Sequence, residues 1–131
     1  MPIPQDRSTM PSPSIGIDLD GTIDEAPIFF RLLSAHWPGK VFIITYRDDR
    51  QKAVDRLAEF HIRYDELILV STFAEKAKVI QDRGILTYFD DMDEMLSDIP
   101  HQVNVMKVRN GGNFDFDQKL WLYSEKTGRL V

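Results

Sequence analysis

Residues 14–22 read Ser14-Ile15-Gly16-Ile17-Asp18-Leu19-Asp20-Gly21-Thr22. Ile15, Ile17 and Leu19 alternate with Gly16, Asp18 and Asp20, the period of two that sends successive side chains of a strand to opposite faces. The stretch predicts a strand that ends in carboxylates, with Asp18 and Asp20 on the same side and a glycine to turn the chain. Working outward, residues 26–37 carry Ile28, Phe29, Leu32, Leu33 and His36 at helical spacing, and Pro38-Gly39 stops that pattern. Val41-Phe42-Ile43-Ile44 is a continuous apolar run, as in a strand covered on both faces, and it ends at Thr45. Ala53, Val54, Leu57, Ala58 and Phe60 then mark an amphipathic helix over residues 49–60, followed by a buried strand at Leu67-Ile68-Leu69-Val70. Thr72 and Glu75 have capping-box spacing, so a third helix starts near Phe73, with Gly84 where its C-cap is wanted. Residues 85–89 form a fourth strand running into Asp90-Asp91. A short helix closes before Pro100, and residues 103–108 give a fifth strand.

Strand and helix alternate throughout this run, which predicts an α/β fold: a three-layer α/β/α sandwich on a mainly parallel, Rossmann-like sheet with right-handed crossovers. The 131 residues hold one domain. Residues 1–14, with four prolines and three serines, read as a flexible tail, and residues 15–131 as the domain. Its C-terminal extension, from about residue 113, reads as a hairpin in which residues 119–123 and 130–131 flank Lys126-Thr127-Gly128. Apolar residues make up 43% and charged residues 28%, enough for a real core. The net charge of -5 argues against a broad nucleic-acid surface. The absence of cysteine excludes disulfides and thiolate chemistry, and no run approaches the ~20 apolar residues of a membrane span. A soluble, cytoplasmic protein is expected.

The polar residues collect where the strands end: Asp18 and Asp20, Thr45, then Asp90 and Asp91. In a parallel sheet these ends share one rim, where ligands bind. Carboxylates converging in a partly dry crevice need protons, a lysine or a hard divalent cation, and an all-oxygen site suits Mg²⁺, which recruits a phosphate. Lys76 and Lys78 compete for the lysine position, since residues two apart on a helix point to opposite sides; the capping box puts Lys76 in the first turn, nearest the rim. Arg47 reads equally as an anion-binding fork or as a helix-entry partner of Asp48 or Asp49, which themselves read as cap and dipole partners of the following helix.

The segment Ile15-Gly16-Ile17-Asp18-Leu19-Asp20-Gly21-Thr22-Ile23 resembles the first signature of the haloacid dehalogenase-like (HAD) phosphatase superfamily, an apolar strand followed by Asp-x-Asp-Gly-Thr. Thr45 at a strand end, Lys76 opening a helix and Asp90-Asp91 at a later strand end follow in the family's order. The resemblance covers residues 15–108. It implies a HAD-like hydrolase domain and a Mg²⁺-dependent phosphomonoester hydrolase. Asp18 would be the nucleophile that forms an aspartyl-phosphate, and Asp20 the general acid and base. Thr45 would bind a phosphoryl oxygen, and Lys76 would neutralise Asp18 and the phosphoryl group. Gly21 and Thr22 would shape the phosphate-binding turn, with Arg47 reaching an anionic substrate group. Asp18, the backbone carbonyl of Asp20, Asp90 and Asp91 would hold the metal, with either Asp90 or Asp91 as the direct ligand. Residues 23–40 leave no space for a cap domain. The resemblance therefore implies an open site taking a phosphorylated small molecule or macromolecular end, or a lid borrowed from a second copy in a homo-oligomer. A non-catalytic phosphate-binding or regulatory domain is the alternative. Signalling receiver domains also use carboxylates, threonine, lysine and Mg²⁺, but their acidic pair comes first in the chain rather than last.

Overall fold

The computed structural model describes residues 12–121. Five strands, β1 (Ser14–Ile17), β2 (Val41–Tyr46), β3 (Glu66–Val70), β4 (Ile85–Asp90) and β5 (Asn104–Lys107), form one sheet in the order β3-β2-β1-β4-β5. Every pairing in it is parallel. Three α-helices, α1 (Pro27–His36), α2 (Arg50–Glu59) and α3 (Phe73–Asp82), make crossovers between the strands. The chain order runs outward from β1 to β3 and then jumps back across β1 to β4. This creates a switch point between β1 and β4, where a crevice opens at the carboxyl ends of the strands.

Two apolar clusters fill the spaces above and below the sheet. One joins Ile15, Ile17, Val41, Ile43 and Leu67 to Phe30 of α1 and Ala53 and Leu57 of α2. The other joins Phe42, Ile44, Val70, Ile85 and Tyr88 to Ala77 and Ile80 of α3, with Ile99 at its edge. Odd and even positions of β1 and β2 thus go to different layers, as the period of two requires, and the three-layer α/β/α sandwich is the observed architecture. Gly16 faces the α3 layer, where a Cβ would stand 3.0 Å from Tyr88 Cδ1 and 3.2 Å from Ile85 Cδ1. The missing side chain lets the Tyr88 ring lie against β1.

The helix ends follow local chemistry. Asp49 caps α2 by accepting from the Lys52 N–H at 3.1 Å. Thr72 caps α3 by accepting from the Glu75 N–H at 3.2 Å, while the Glu75 carboxylate reaches back to the Ser71 and Thr72 hydroxyls. Gly84 leaves α3 with φ 62°, a left-handed conformation that favours glycine.

Some expectations are corrected. β1 is shorter than the alternating stretch suggests, because the chain turns after Ile17 and makes a 3₁₀ turn at Ile23–Glu25. The helix expected before Pro100 is a 3₁₀ turn, Asp93–Leu96, too short to bury an α-helical face. In the C-terminal extension, β6 (Phe114–Asp115) pairs antiparallel with β7 (Leu120–Trp121) across residues 116–119. The Asp115 carboxylate accepts the Asp117 and Gln118 N–H groups there. Lys126-Thr127-Gly128 and Tyr123 lie outside the described residues, as do residues 1–11 of the expected tail. Ser12 and Pro13 are part of the fold, since the Trp37 indole N–H donates to the Pro13 carbonyl at 2.8 Å. Among the described residues no helix is long and apolar enough to cross a membrane.

Candidate functional site

The switch-point crevice holds the polar residues that the strand ends carry. Asp18 leaves β1 on the α3 side, Asp90 ends β4 and Asp91 follows it. One carboxylate oxygen from each lies within 4.8 Å of the others, and all three residues are buried. Lys76 enters from the first turn of α3 and is wholly buried. Its ammonium sits 3.1 Å from Asp18 Oδ1 and 2.9 Å from Asp90 Oδ2. Lys78, on the opposite side of the helix, is exposed and pairs with Asp82.

A residue that sequence reasoning passed over completes the cluster. The Tyr88 hydroxyl donates to Asp90 Oδ2 at 2.5 Å, and the Met92 N–H donates to Asp90 Oδ1 at 3.0 Å. Asp90 therefore has partners on both oxygens. The available signal was parity: Tyr88 and Asp90 are two apart on one strand, so they share a face. Arg109, also passed over, donates to the Asp91 backbone carbonyl.

The electrostatics follow from acids and a lysine held together in a dry space. Burial pushes the Asp18 carboxyl well above the usual carboxylate range; Lys76 pulls it back, and Asp90 and Asp91 push it up further. Burial acts on Asp90 in the same direction, but Lys76, the Tyr88 hydroxyl and the Met92 N–H outweigh it and hold Asp90 low. Burial alone lowers Lys76, yet Asp18 and Asp90 together hold it above its ordinary value, so it stays charged.

Asp20 goes elsewhere. The chain turns at Gly21, φ 76°, and the Asp20 carboxylate meets the Arg47 guanidinium in a bidentate pair, Nε to Oδ2 at 2.8 Å and Nη2 to Oδ1 at 2.6 Å. Thr45, fully buried, points its hydroxyl at Asp20 Oδ2 from 3.5 Å. Arg47 thus pairs with neither Asp48 nor Asp49, and Asp20's carboxylate stands outside the three-acid cluster. The period-two argument that placed Asp20 beside Asp18 fails because the strand ends before both residues. The Gly21 N–H donates to Asp24 Oδ1 at 2.8 Å. Thr22 does not brace this turn through its side chain: its hydroxyl is buried and makes no hydrogen bond among the described residues. Asp93 bonds Lys107 on the surface.

Asp18, Asp20, Thr45 and Lys76 line one cavity of about 380 Å³, together with Tyr46, Phe73 and Met92. The donor set fits a hard divalent cation: oxygen atoms only, from three buried carboxylates on adjacent strand ends. Asp18, Asp90 and Asp91 are the residues that would hold it.

No protein-family model matches the chain, and no curated protein does. A solved structure similar in fold is the "Crystal structure of universal stress protein in complex with cAMP", at 8% identity and a TM-score of 0.47, with 75% of this chain and 98% of that chain covered. This match lies outside the phosphatase family that the motifs resemble, and no family model restores that family. Membership of the haloacid dehalogenase-like superfamily is therefore withdrawn. With it goes the phosphomonoester hydrolase working through an aspartyl-phosphate on Asp18, with Asp20 as general acid and base. At that identity and TM-score the likeness carries no statement of what this chain binds.

Proposed function

We propose that the rim is a divalent-cation-dependent binding site for a phosphorylated small molecule, with Mg²⁺ as the cation. The observation that supports it is the buried cluster of Asp18, Asp90 and Asp91, whose carboxylate oxygens lie within 4.8 Å of one another, with the Lys76 ammonium between Asp18 and Asp90. The cation would supply positive charge beside these carboxylates and an attachment for phosphate oxygens. The chain's own residues do the rest. Lys76 holds Asp18 and Asp90 in register, Tyr88 and the Met92 N–H fix the Asp90 carboxylate, and Thr45 lines the cavity, where a phosphate oxygen can compete with Asp20 for its hydroxyl.

Isothermal titration of the full chain tests this reading. Inorganic phosphate should bind in the presence of Mg²⁺, fail to bind with the cation chelated, and fail to bind to Asp18→Asn in either condition. Phosphate binding that ignores Mg²⁺, or that Asp18→Asn leaves intact, would sink the proposal.

A further inference from the structure

The polar residues on the floor of the cavity do not account for its wall. Tyr46 and Phe73 stand at its mouth with 52% and 42% of their surface exposed, their ring centroids 5.9 Å apart and their planes at 63°. Met92 adds a polarizable thioether to the same wall. A bare phosphate on the rim leaves these apolar faces wet.

The wall and floor are built by the same elements. Phe73 opens α3 three residues before Lys76, the spacing that puts two side chains on one helix face. Tyr46 ends β2 next to Thr45. Tyr46 also lines a second cavity of about 450 Å³ with Arg47, Asp48, Val70 and Ser71, so its ring divides two recesses. The rings meet edge to face, an arrangement aromatic groups favour, and they form a corner into which a third flat group can pack.

We propose that Tyr46 and Phe73 are a ring-binding wall, and that the ligand of this rim is a phosphate ester whose organic part is a planar aromatic or heterocyclic ring. The proposal rests on the reading of the rim as a cation-dependent phosphate site. It adds the chemical class of the group attached to the phosphate. The phosphate end binds among Lys76, Thr45 and the carboxylates that hold the cation, and the ring covers the exposed aromatic faces.

The experiment compares phenyl phosphate, glycerol 3-phosphate and inorganic phosphate by titration calorimetry on the full chain in saturating Mg²⁺. Phenyl phosphate should bind roughly ten-fold more tightly than glycerol 3-phosphate, the scale of one stacking contact. In Tyr46→Ala and in Phe73→Ala that preference should fall to about three-fold or less, while affinity for inorganic phosphate changes by less than about two-fold. Tyr46→Leu and Phe73→Leu, which keep apolar bulk without a ring, should behave like the alanine variants. Equal binding of the two esters to the native chain overturns the ring wall and leaves the phosphate site standing. A preference that survives the alanine or the leucine substitutions also overturns it. Failure of inorganic phosphate to bind the native chain removes the phosphate site itself, and the ring wall falls with it.

Discussion

At the scale of single residues the cluster is a contest between burial and charge, and its two signs can be separated. Asp18 is an acid held up by burial and by Asp90 and Asp91. Asp18→Asn removes one repelling charge, so without divalent cations this variant should melt at or above the native chain's temperature. Lys76→Met does the reverse, because it leaves Asp18 and Asp90 facing each other unpaired. Loss of one partner from a buried ion pair costs about 3–5 kcal/mol, so this variant should melt well below the native chain and recover part of the loss in Mg²⁺. Calorimetric melts of both variants, with and without the cation, check the pair. A destabilised Asp18→Asn together with an unaffected Lys76→Met would contradict the charge account. Tyr88→Phe should cost about 1–3 kcal/mol, since it takes a buried donor from Asp90.

At the scale of elements, Gly16 links the packing of β1 to the cluster. In Gly16→Ala the new methyl would press on the Tyr88 ring, and overpacking of this kind costs about 1–3 kcal/mol. Because Tyr88 holds Asp90, the substitution should also weaken Mg²⁺ binding; a variant that is destabilised but binds Mg²⁺ normally would show that ring position and carboxylate are not coupled. Arg83, just past α3, clasps Glu66 at the start of β3 and holds its carboxyl below the usual range. A depressed acid contributes stability above its unfolded pKa and loses it as pH falls through the folded value. Arg83→Ala should therefore lower the neutral region of a melting-temperature profile slightly, since the pair is exposed, and leave the most acidic end unchanged, so that the acid limb between them flattens. These elements also show what was readable beforehand. The strands and helices from residue 14 to residue 107 follow from period and caps, and the capping box of Thr72 and Glu75 distinguishes Lys76 from Lys78. The Asp20–Arg47 pair was not readable, because period two applies only while the backbone stays extended and the chain turns before Asp20. Tyr88 was obscured by its hydrophobic surroundings, and the hairpin turn at residues 116–119 holds no glycine or proline to announce it.

At the scale of the whole molecule the strand order decides where these charges meet. Because β1 and β4 are neighbours although far apart in sequence, Asp18 and the Asp90-Asp91 pair are brought together only when the sheet is complete. The unfolded chain holds no such site, so a cation bound there stabilises only the folded state. Linkage fixes the size of the effect: at a free Mg²⁺ concentration about 100 times the dissociation constant, the gain is about 2.7 kcal/mol. For a domain of this length that amounts to a rise of roughly 10 °C in melting temperature. The rise should grow with the logarithm of cation concentration, disappear on chelation, and be absent from Asp18→Asn, whose fold is intact but whose donor set is broken. K⁺ at matched ionic strength should not reproduce it, because screening acts on exposed charges and these carboxylates are buried. A similar rise with K⁺, or in Asp18→Asn, would assign the stabilisation to relief of the chain's net charge of -5 rather than to the three carboxylates at the switch point.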